Sequence, residues 1–172
     1  MNWPIRRLGP DDVTRYREIR AEALAQHPEA FGTSVAEFAG RSNEDVARML
    51  QALAVYAAEG PDGKLGGLAA FERDVGVRAA HRGWLMQVYV RPAHRGTGLG
   101  EALVERIIEH ARHHVVQVHL GVSTENQPAL ELYRRCGFSI YGTDPRYLYV
   151  NGRYIDEHLM VRFLDKAPGD QK

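Results

Sequence analysis

Between Val88 and Ile107 the chain reads VYVRPAHRGTGLGEALVERI. A strand-like apolar run, Val88-Tyr89-Val90, passes through Gly96, Gly98 and Gly100 into a segment with a different period. There Leu99, Leu103, Val104, Ile107, Ile108 and Ala111 recur at helical spacing, with Glu101, Glu105, Arg106 and Glu109 on the opposite face. Strand, glycine-rich turn, helix is the arrangement that satisfies both periods. The start of such a helix carries unpaired backbone N–H groups and the positive end of the dipole, and glycine lets a bulky anion approach them. One contact of this kind contributes about 0.3–2 kcal/mol, so useful affinity needs several donors together with Arg91 or Arg95.

The flanking sequence builds outward from this unit. Trp3 to Leu8 reads as a first strand, ended by Gly9-Pro10. Asp11 or Asp12 caps a helix from Val13 to Gln26, which HPEAFGTS then breaks. Ser42 opens a second helix through Leu53. From Ala54 three strands follow, AVYAAE, LGGLAAFER and WLMQVYV, joined by short loops as an antiparallel meander. After the glycine-rich unit come a strand, VVQVHLGV, with Val116, Val118, Leu120 and Val122 on one face, and a short helix, QPALELYRRC, with Pro128 in its first turn. Gly137 ends that helix. Asn151-Gly152 then joins FSIYGTDPRYLYV to RYIDEHLMVRFL as a hairpin. The order predicts an α/β fold, a mixed sheet with helices on both faces.

At 172 residues, 44% hydrophobic and 26% charged, the chain is expected to be one globular domain over residues 1–166 with a polar tail, 167–172. Lysine plus arginine balances aspartate plus glutamate at 22 each, which removes the electrostatic case for a sequence-independent nucleic-acid binder. One cysteine, Cys136, allows no internal disulfide and no cysteine-rich zinc site. No apolar run is long enough for a membrane span, and the N-terminus lacks a signal-like stretch, so a cytoplasmic location is the default expectation.

Three phosphate-binding patterns compete for the loop. The phosphate loop of nucleoside triphosphatases needs Gly-Lys-Ser/Thr, and Gly100 is followed by Glu101-Ala102. The dinucleotide fingerprint needs a glycine where Glu101 stands. The pattern R-x-x-G-x-G remains, as Arg95, Gly98 and Gly100. In that form the stretch resembles the coenzyme A pyrophosphate loop of the GNAT N-acetyltransferase superfamily. VSTENQPALELYRRCGF, Val122 to Phe138, resembles the family's second signature, and NGRYIDEHLMVRFL resembles its closing hairpin. The likeness covers Trp84 to Leu164, with a weaker echo in HPEAFGTS; residues 36–51 match poorly.

The resemblance implies a single-domain GNAT fold in which the strand before the glycine loop and the strand after the helix splay apart and hold coenzyme A between them. It assigns backbone of Val88, Tyr89 and Val90 to the pantetheine arm. Arg95, Gly96, Thr97, Gly98, Leu99 and Gly100 fall to the pyrophosphate, and Asn126 and Ala129 to the coenzyme arm. Tyr133 is assigned to the position near the sulfur. The implied reaction moves an acetyl group from acetyl coenzyme A to a primary amine by direct attack in a ternary complex, with no metal. The acceptor is a small molecule or a peptide, and a homodimer is a reasonable expectation.

Each chemical need can be weighed. An amine of pKa about 10.4 is neutral in about one molecule in 2,000 at pH 7, so deprotonation is the demanding step. A phenol is a slightly weaker acid than a thiol, so Tyr133 is expected to act mainly by donating a hydrogen bond to the developing thiolate. Some relatives use a strand glutamate as base; here Trp84 occupies that position. Glu37, Glu72, His81, Asp156 and Glu157, or a water chain, are the alternatives. In the cluster His110, His113, His114 and His119, helix spacing could place His110 beside His114, yet no H-E-x-x-H arrangement and no nearby thiol accompany them, and they read as ordinary helix-end histidines. Arg91, Arg95, Arg134, Arg135 and Arg146 are candidates for a basic rim, and Tyr147, Tyr149 and Tyr154 for an acceptor site or subunit contact. Cys136 has no neighbouring histidine, which disfavours a covalent acyl-cysteine route. A non-catalytic acyl coenzyme A binder is the rival from another class, and a nucleotide-binding module a third.

Overall fold

The computed structural model describes residues 3–165. The expected tail, 167–172, lies outside them. Seven strands form one sheet in the order β1-β2-β3-β4-β5-β7-β6: β1 (Ile5–Arg7), β2 (Ala54–Glu59), β3 (Leu65–Arg73), β4 (Arg82–Val90), β5 (Gln117–Ser123), β6 (Ser139–Val150) and β7 (Arg153–Phe163). Every neighbouring pair is antiparallel except β4 and β5. Helices α1 (Val13–Gln26), α2 (Val35–Ala39) and α3 (Asn43–Ala52) precede β2; α4 (Leu99–Ala111) joins β4 to β5, and α5 (Gln127–Arg135) joins β5 to β6.

Two cores follow, one on each face. Leu99, Leu103, Val104, Ile107 and Ile108 of α4 and Leu130 and Tyr133 of α5 bury against Leu85, Val118, Leu120 and Met160. On the other face Tyr16, Ile19, Ala23 and Leu24 of α1, with Phe38, Val46 and Leu50, cover Val55, Ala57, Leu68, Ala70 and Tyr89. The α1–α3 layer lies over β2 to β4, so the same face of β5, β7 and β6 carries no helix.

Most expected elements are present with boundaries a residue or two away. Three expectations change. The first strand shrinks to Ile5–Arg7: Leu8 N–H still reaches Val55 O in the β1–β2 register, and the turn Pro10–Asp12 follows at once. HPEAFGTS does break α1, yet Ser34 begins the five-residue α2 with a capping box to Glu37, a signal present in the sequence as S-x-x-E. Val116 precedes β5 and is exposed, while Val118, Leu120 and Val122 keep the buried face.

Local chemistry fixes the element ends. Ser42 and Asp45 form the capping box of α3, and Asn126 Oδ1 accepts from Ala129 N–H at 3.2 Å to start α5. Such caps contribute about 1 kcal/mol each. Arg6 grips the buried Asp12 through two hydrogen bonds of 2.7 and 2.9 Å, and Asp12 also accepts from Gly9 N–H. Together they hold β1 against the start of α1, and the Arg6 guanidinium lowers the Asp12 carboxyl pKa.

Candidate active site

The site begins where β4 stops pairing with β5. Only Arg82, Gly83 and Trp84 of β4 are in register with β5, opposite Gln117, Val118 and His119. Trp84 marks the vertex: its ring lies 5.3 Å from that of His119, and its Nε1 donates to Asp74, which also accepts from Arg82. This tryptophan is a structural clasp.

A bulge then turns β4 away. Leu68 pairs with Tyr89 and Ala70 with Met86, so Gln87 and Val88 together oppose one residue of β3. Gln87 sits at φ 56°, a left-handed conformation uncommon for a non-glycine residue, and Tyr16 O–H donates to its Oε1 at 2.7 Å. Beyond the bulge Arg91 N–H donates to Gly66 O across β3. By strand alternation the N–H and C=O of Val90 and Val88 face the gap toward β5. Val90 O there accepts from Arg95 Nε at 3.0 Å. Tyr89 faces the opposite way, its hydroxyl on Glu22 and Gln26, where burial and Glu22 push its pKa up to about 12.

At the mouth of the gap lies the glycine-rich loop. Gly96 and Gly98 adopt φ of 73° and 84°, and open space surrounds both, so backbone conformation is what demands glycine. Gly100 answers a different need: a Cβ there would meet Leu132 Cδ2 of α5 at 3.3 Å. No side chain caps α4, and the first bond into its turn is Ala102 N–H to Gly98 O. Among the described residues, the N–H groups of Gly96 through Glu101 therefore have no acceptor. Six consecutive free donors at a helix start form the kind of concavity that binds anions. Thr97 Oγ1 is committed to His94 O, and the Leu99 side chain is fully buried, so both offer only backbone.

Asn126 and Ala129 stand at the start of α5, with Asn126 Oδ1 spent on the helix cap and its amide nitrogen free for a ligand. Tyr133 follows on the same helix, 7% exposed and edge-on to Phe138 at 6.1 Å. Among the described residues its hydroxyl has no hydrogen-bond partner, and burial raises its pKa, keeping it a neutral donor.

The helix-free sheet face forms a trough beside the gap. Trp84, Met86 and Gln87 of β4, His119 and Gly121 of β5, and Glu157 and Leu159 of β7 share this face by strand alternation. Tyr141 on β6 donates to or accepts from His119 Nδ1 at 3.1 Å. The segment 28–33 after α1 forms a wall: its first turn, Pro28–Ala30, touches β5 and β6, and Gly32 lies beside Tyr147 of β6. Gly121 is two residues past the last β4–β5 pair, and a Cβ there would overlap Glu157 Oε1 and Cδ. The missing side chain thus admits the Glu157 carboxyl across β5 at the opening. No donor among the described residues reaches that carboxyl. Burial, with Asp144 opposite it on β6, pushes its pKa up to about 7.

The other base candidates are engaged or distant. Glu37 is exposed and tied to Ser34 N–H. Asp156 is exposed and accepts from Arg146 N–H. Glu72 lies near the far end of β3, opposite Trp84, and His81 just before β4. Three of the five candidate rim arginines are engaged with neighbours: Arg91 is held by Glu18 and Glu22 at 3.0 and 2.9 Å, Arg135 faces Glu101 at 3.8 Å, and Arg146 stacks on Tyr154 of the terminal hairpin. His110 packs between Tyr56 and Phe71, and burial lowers its pKa to about 4. Among the described residues no group of three or more metal-ligating side chains forms. Cys136 is buried, and its thiol is pushed up to about 11, which makes it a poor nucleophile.

The profile described as Acetyltransferase (GNAT) family matches residues 15–138. The chain belongs to this family. It is 29% identical over 167 residues to an L-methionine sulfoximine/L-methionine sulfone acetyltransferase of Pseudomonas paraeruginosa, covering 96% of both chains. Shorter alignments include a Salmonella typhimurium enzyme of the same name, 35% identical over 82 residues, and a Vibrio cholerae spermidine N(1)-acetyltransferase, 31% identical over 88. These alignments span about half the length of those two relatives, 47% and 51%. A Salmonella typhimurium protein solved with its cofactor acetyl-CoA superposes with a TM-score of 0.80 at 27% identity, covering 97% of this chain and 96% of that one. A GNAT-family acetyltransferase from Streptococcus pneumoniae superposes at 0.82 with 24% identity, covering 94% and 99%, and supports the fold. No helix among the described residues is long and apolar enough to cross a membrane.

Proposed function

We propose that this protein transfers an acetyl group from acetyl coenzyme A to the primary amine of a small molecule by direct attack within a ternary complex. The observation that carries the reading is the pairing of an opened β4–β5 seam with six free N–H donors at its mouth. The residues fit the coenzyme: Gly96 to Glu101 hold the pyrophosphate, the gap-facing backbone of Val88 and Val90 pairs with the pantetheine arm, and Asn126 and Ala129 flank it. When bound, acetyl coenzyme A supplies an activated acyl carbon and a sulfur leaving group. Family membership and the full-length likeness to a methionine sulfoximine acetyltransferase support the same reaction class.

This chain's own residues then handle the protons. Glu157 takes a proton from the incoming ammonium; a carboxyl near 7 is poised for that at neutral pH. A backbone N–H of β4 in the gap polarises the acyl oxygen. Tyr133 presents its hydroxyl hydrogen to the departing sulfur, and burial prevents it from ionising first. The unpartnered carboxyl and phenol disfavour the rival of a binder without chemistry, since a fold relieved of catalysis has no reason to retain both.

Titration of the purified protein with acetyl coenzyme A, desulfo-coenzyme A and ATP tests the cradle, and thiol release across an amine panel tests the chemistry. Binding of both coenzymes and not ATP, followed by amine-dependent thiol release, is expected. Tyr133→Phe should lower kcat with little change in coenzyme affinity; unchanged turnover removes Tyr133 from the mechanism. Absence of coenzyme binding would refute the reading.

A further inference from the structure

One buried charge is not explained by acetyl transfer alone. Arg20, in the middle of α1, is 6% exposed, and its Nη1 is buried with no hydrogen-bond partner among the described residues. Its guanidinium carbon lies 4.5 Å from the centre of the Phe31 ring. No carboxylate balances it: the charged group acting on it is Arg41, a second cation, and burial lowers its pKa. An unpaired buried guanidinium is costly to keep, and a partner that arrives with the substrate removes the cost.

Its position says which substrate group that partner is. Tyr16, one turn earlier on α1, binds Gln87 at the bulge, so this stretch of α1 lies against β4 just beyond its last pair with β5. Phe31 belongs to the wall segment 28–33, where a Cβ on Gly32 would lie 3.4 Å from Tyr147 Oη of β6. Arg20 is thus packed between the helix and the wall of the acceptor trough, on the same sheet face as Glu157. A carboxylate accepts two parallel N–H bonds from a guanidinium fork. A polyamine would bring further positive charge beside Arg20 and Arg41.

We propose that Arg20 binds the carboxylate of the acceptor, and that the acceptor is an α-amino acid or a close analogue. The assignment rests on the acetyltransferase reading and narrows it. Glu157 and Arg20 then take the two ends of one zwitterion, the ammonium and the carboxylate. Phe31 keeps the guanidinium flat and dry between turnovers.

The test compares each acceptor with its own uncharged form. Thiol release from acetyl coenzyme A is measured with the proteinogenic L-amino acids and L-methionine sulfone, each beside its α-carboxamide, and with spermidine. At least one acid should exceed its amide in kcat/KM by about 30- to 100-fold, the range for a charge-assisted bidentate pair. Arg20→Met should collapse that ratio to within about threefold by lowering the acid's kcat/KM far more than the amide's; Arg20→Lys should restore part of it. A role confined to packing would lower acid and amide together, which overturns the proposal. So does wild-type turnover of amides or spermidine as fast as of any acid, a result that needs no variant to fold. Coenzyme binding measured in the same samples separates the two levels: binding without acceptance of any acid overturns Arg20 alone, whereas no binding takes down the transferase reading with it.

Discussion

Gly121→Ala is the sharpest test of the proton path, because it touches Glu157 without altering it. The added methyl would overlap the Glu157 carboxyl, the far end of a flexible side chain, so the carboxyl swings away and the strand stays in place. Raising that carboxyl from 4.5 to about 7 would cost about 3 kcal/mol at full value; for a half-exposed group, solvent screening leaves about 1–2 kcal/mol. The sign follows from proton counting. Between pH 4.5 and about 7 the native state binds more protons than the unfolded one, so this group's effect on stability worsens as pH rises through that window. Release of the carboxyl into solvent removes the penalty at pH 8 and changes nothing near pH 4. Gly121→Ala is therefore expected to equal or exceed wild type in urea unfolding at pH 8. Its kcat should fall about 100-fold or more, the lower end of what a positioned general base supplies. The acidic limb of kcat, near pH 7 in wild type, should weaken or move toward ordinary carboxylate values. Wild-type kcat and an unshifted limb in Gly121→Ala would refute both the placement of Glu157 and its role.

Glu157→Gln should gain about 1 kcal/mol at pH 8, nothing at pH 4, and lose about 100-fold in kcat, checked by urea titration at the two pH values and thiol release. Asp12→Asn breaks the Arg6 clasp and should cost about 1–2 kcal/mol at pH 7 by urea unfolding, allowing for the half-exposed arginine. Because the native Asp12 pKa is lowered, that stabilisation is present above pH 3.8 and disappears as pH falls through the native value. Gly83→Ala forces a methyl within 2.5 Å of the Phe71 ring and 2.8 Å of Glu72 O, and thermal unfolding should show a loss of about 2–3 kcal/mol. Gly98→Ala meets no neighbour, but its φ of 84° strains an alanine; about 1 kcal/mol of stability and a clear rise in the acetyl coenzyme A dissociation constant by calorimetry are expected.

What could be read from the sequence was whatever leaves a periodic or local mark. The α4 stripe, the Asn-Gly hairpin and the glycine loop each specify their conformation within a few residues, and each stands where its pattern places it. The bulge at Gln87 left no mark: WLMQVYV has no glycine or proline, and its geometry depends on Tyr16, far away in the chain. Arg20 was hidden likewise, since one of three arginines on α1, with Arg15 and Arg17, reads as surface until the wall segment closes over it. Glu157 stood among five equal candidates, and only the register of β7 against β5, which sets it over Gly121, separates it from the rest. Three of the candidate rim arginines are drawn to neighbours for the converse reason. Arginines that look alike in sequence find different acidic neighbours, such as Glu18 and Glu22 for Arg91.

The bulge at Gln87 also bears on how such a site persists. Past Trp84, β4 and β5 are two hydrogen-bonding edges facing each other inside one sheet, and edges that meet tend to zip. At the point where β4 turns away, Gln87 sits in a left-handed backbone conformation and is bonded to one phenol on α1. The binding cleft is in this sense a row of hydrogen bonds that the fold has been prevented from making. Any change that let Gln87 relax would tend to close the seam, and the product would be a sounder sheet with nowhere for a ligand to lie.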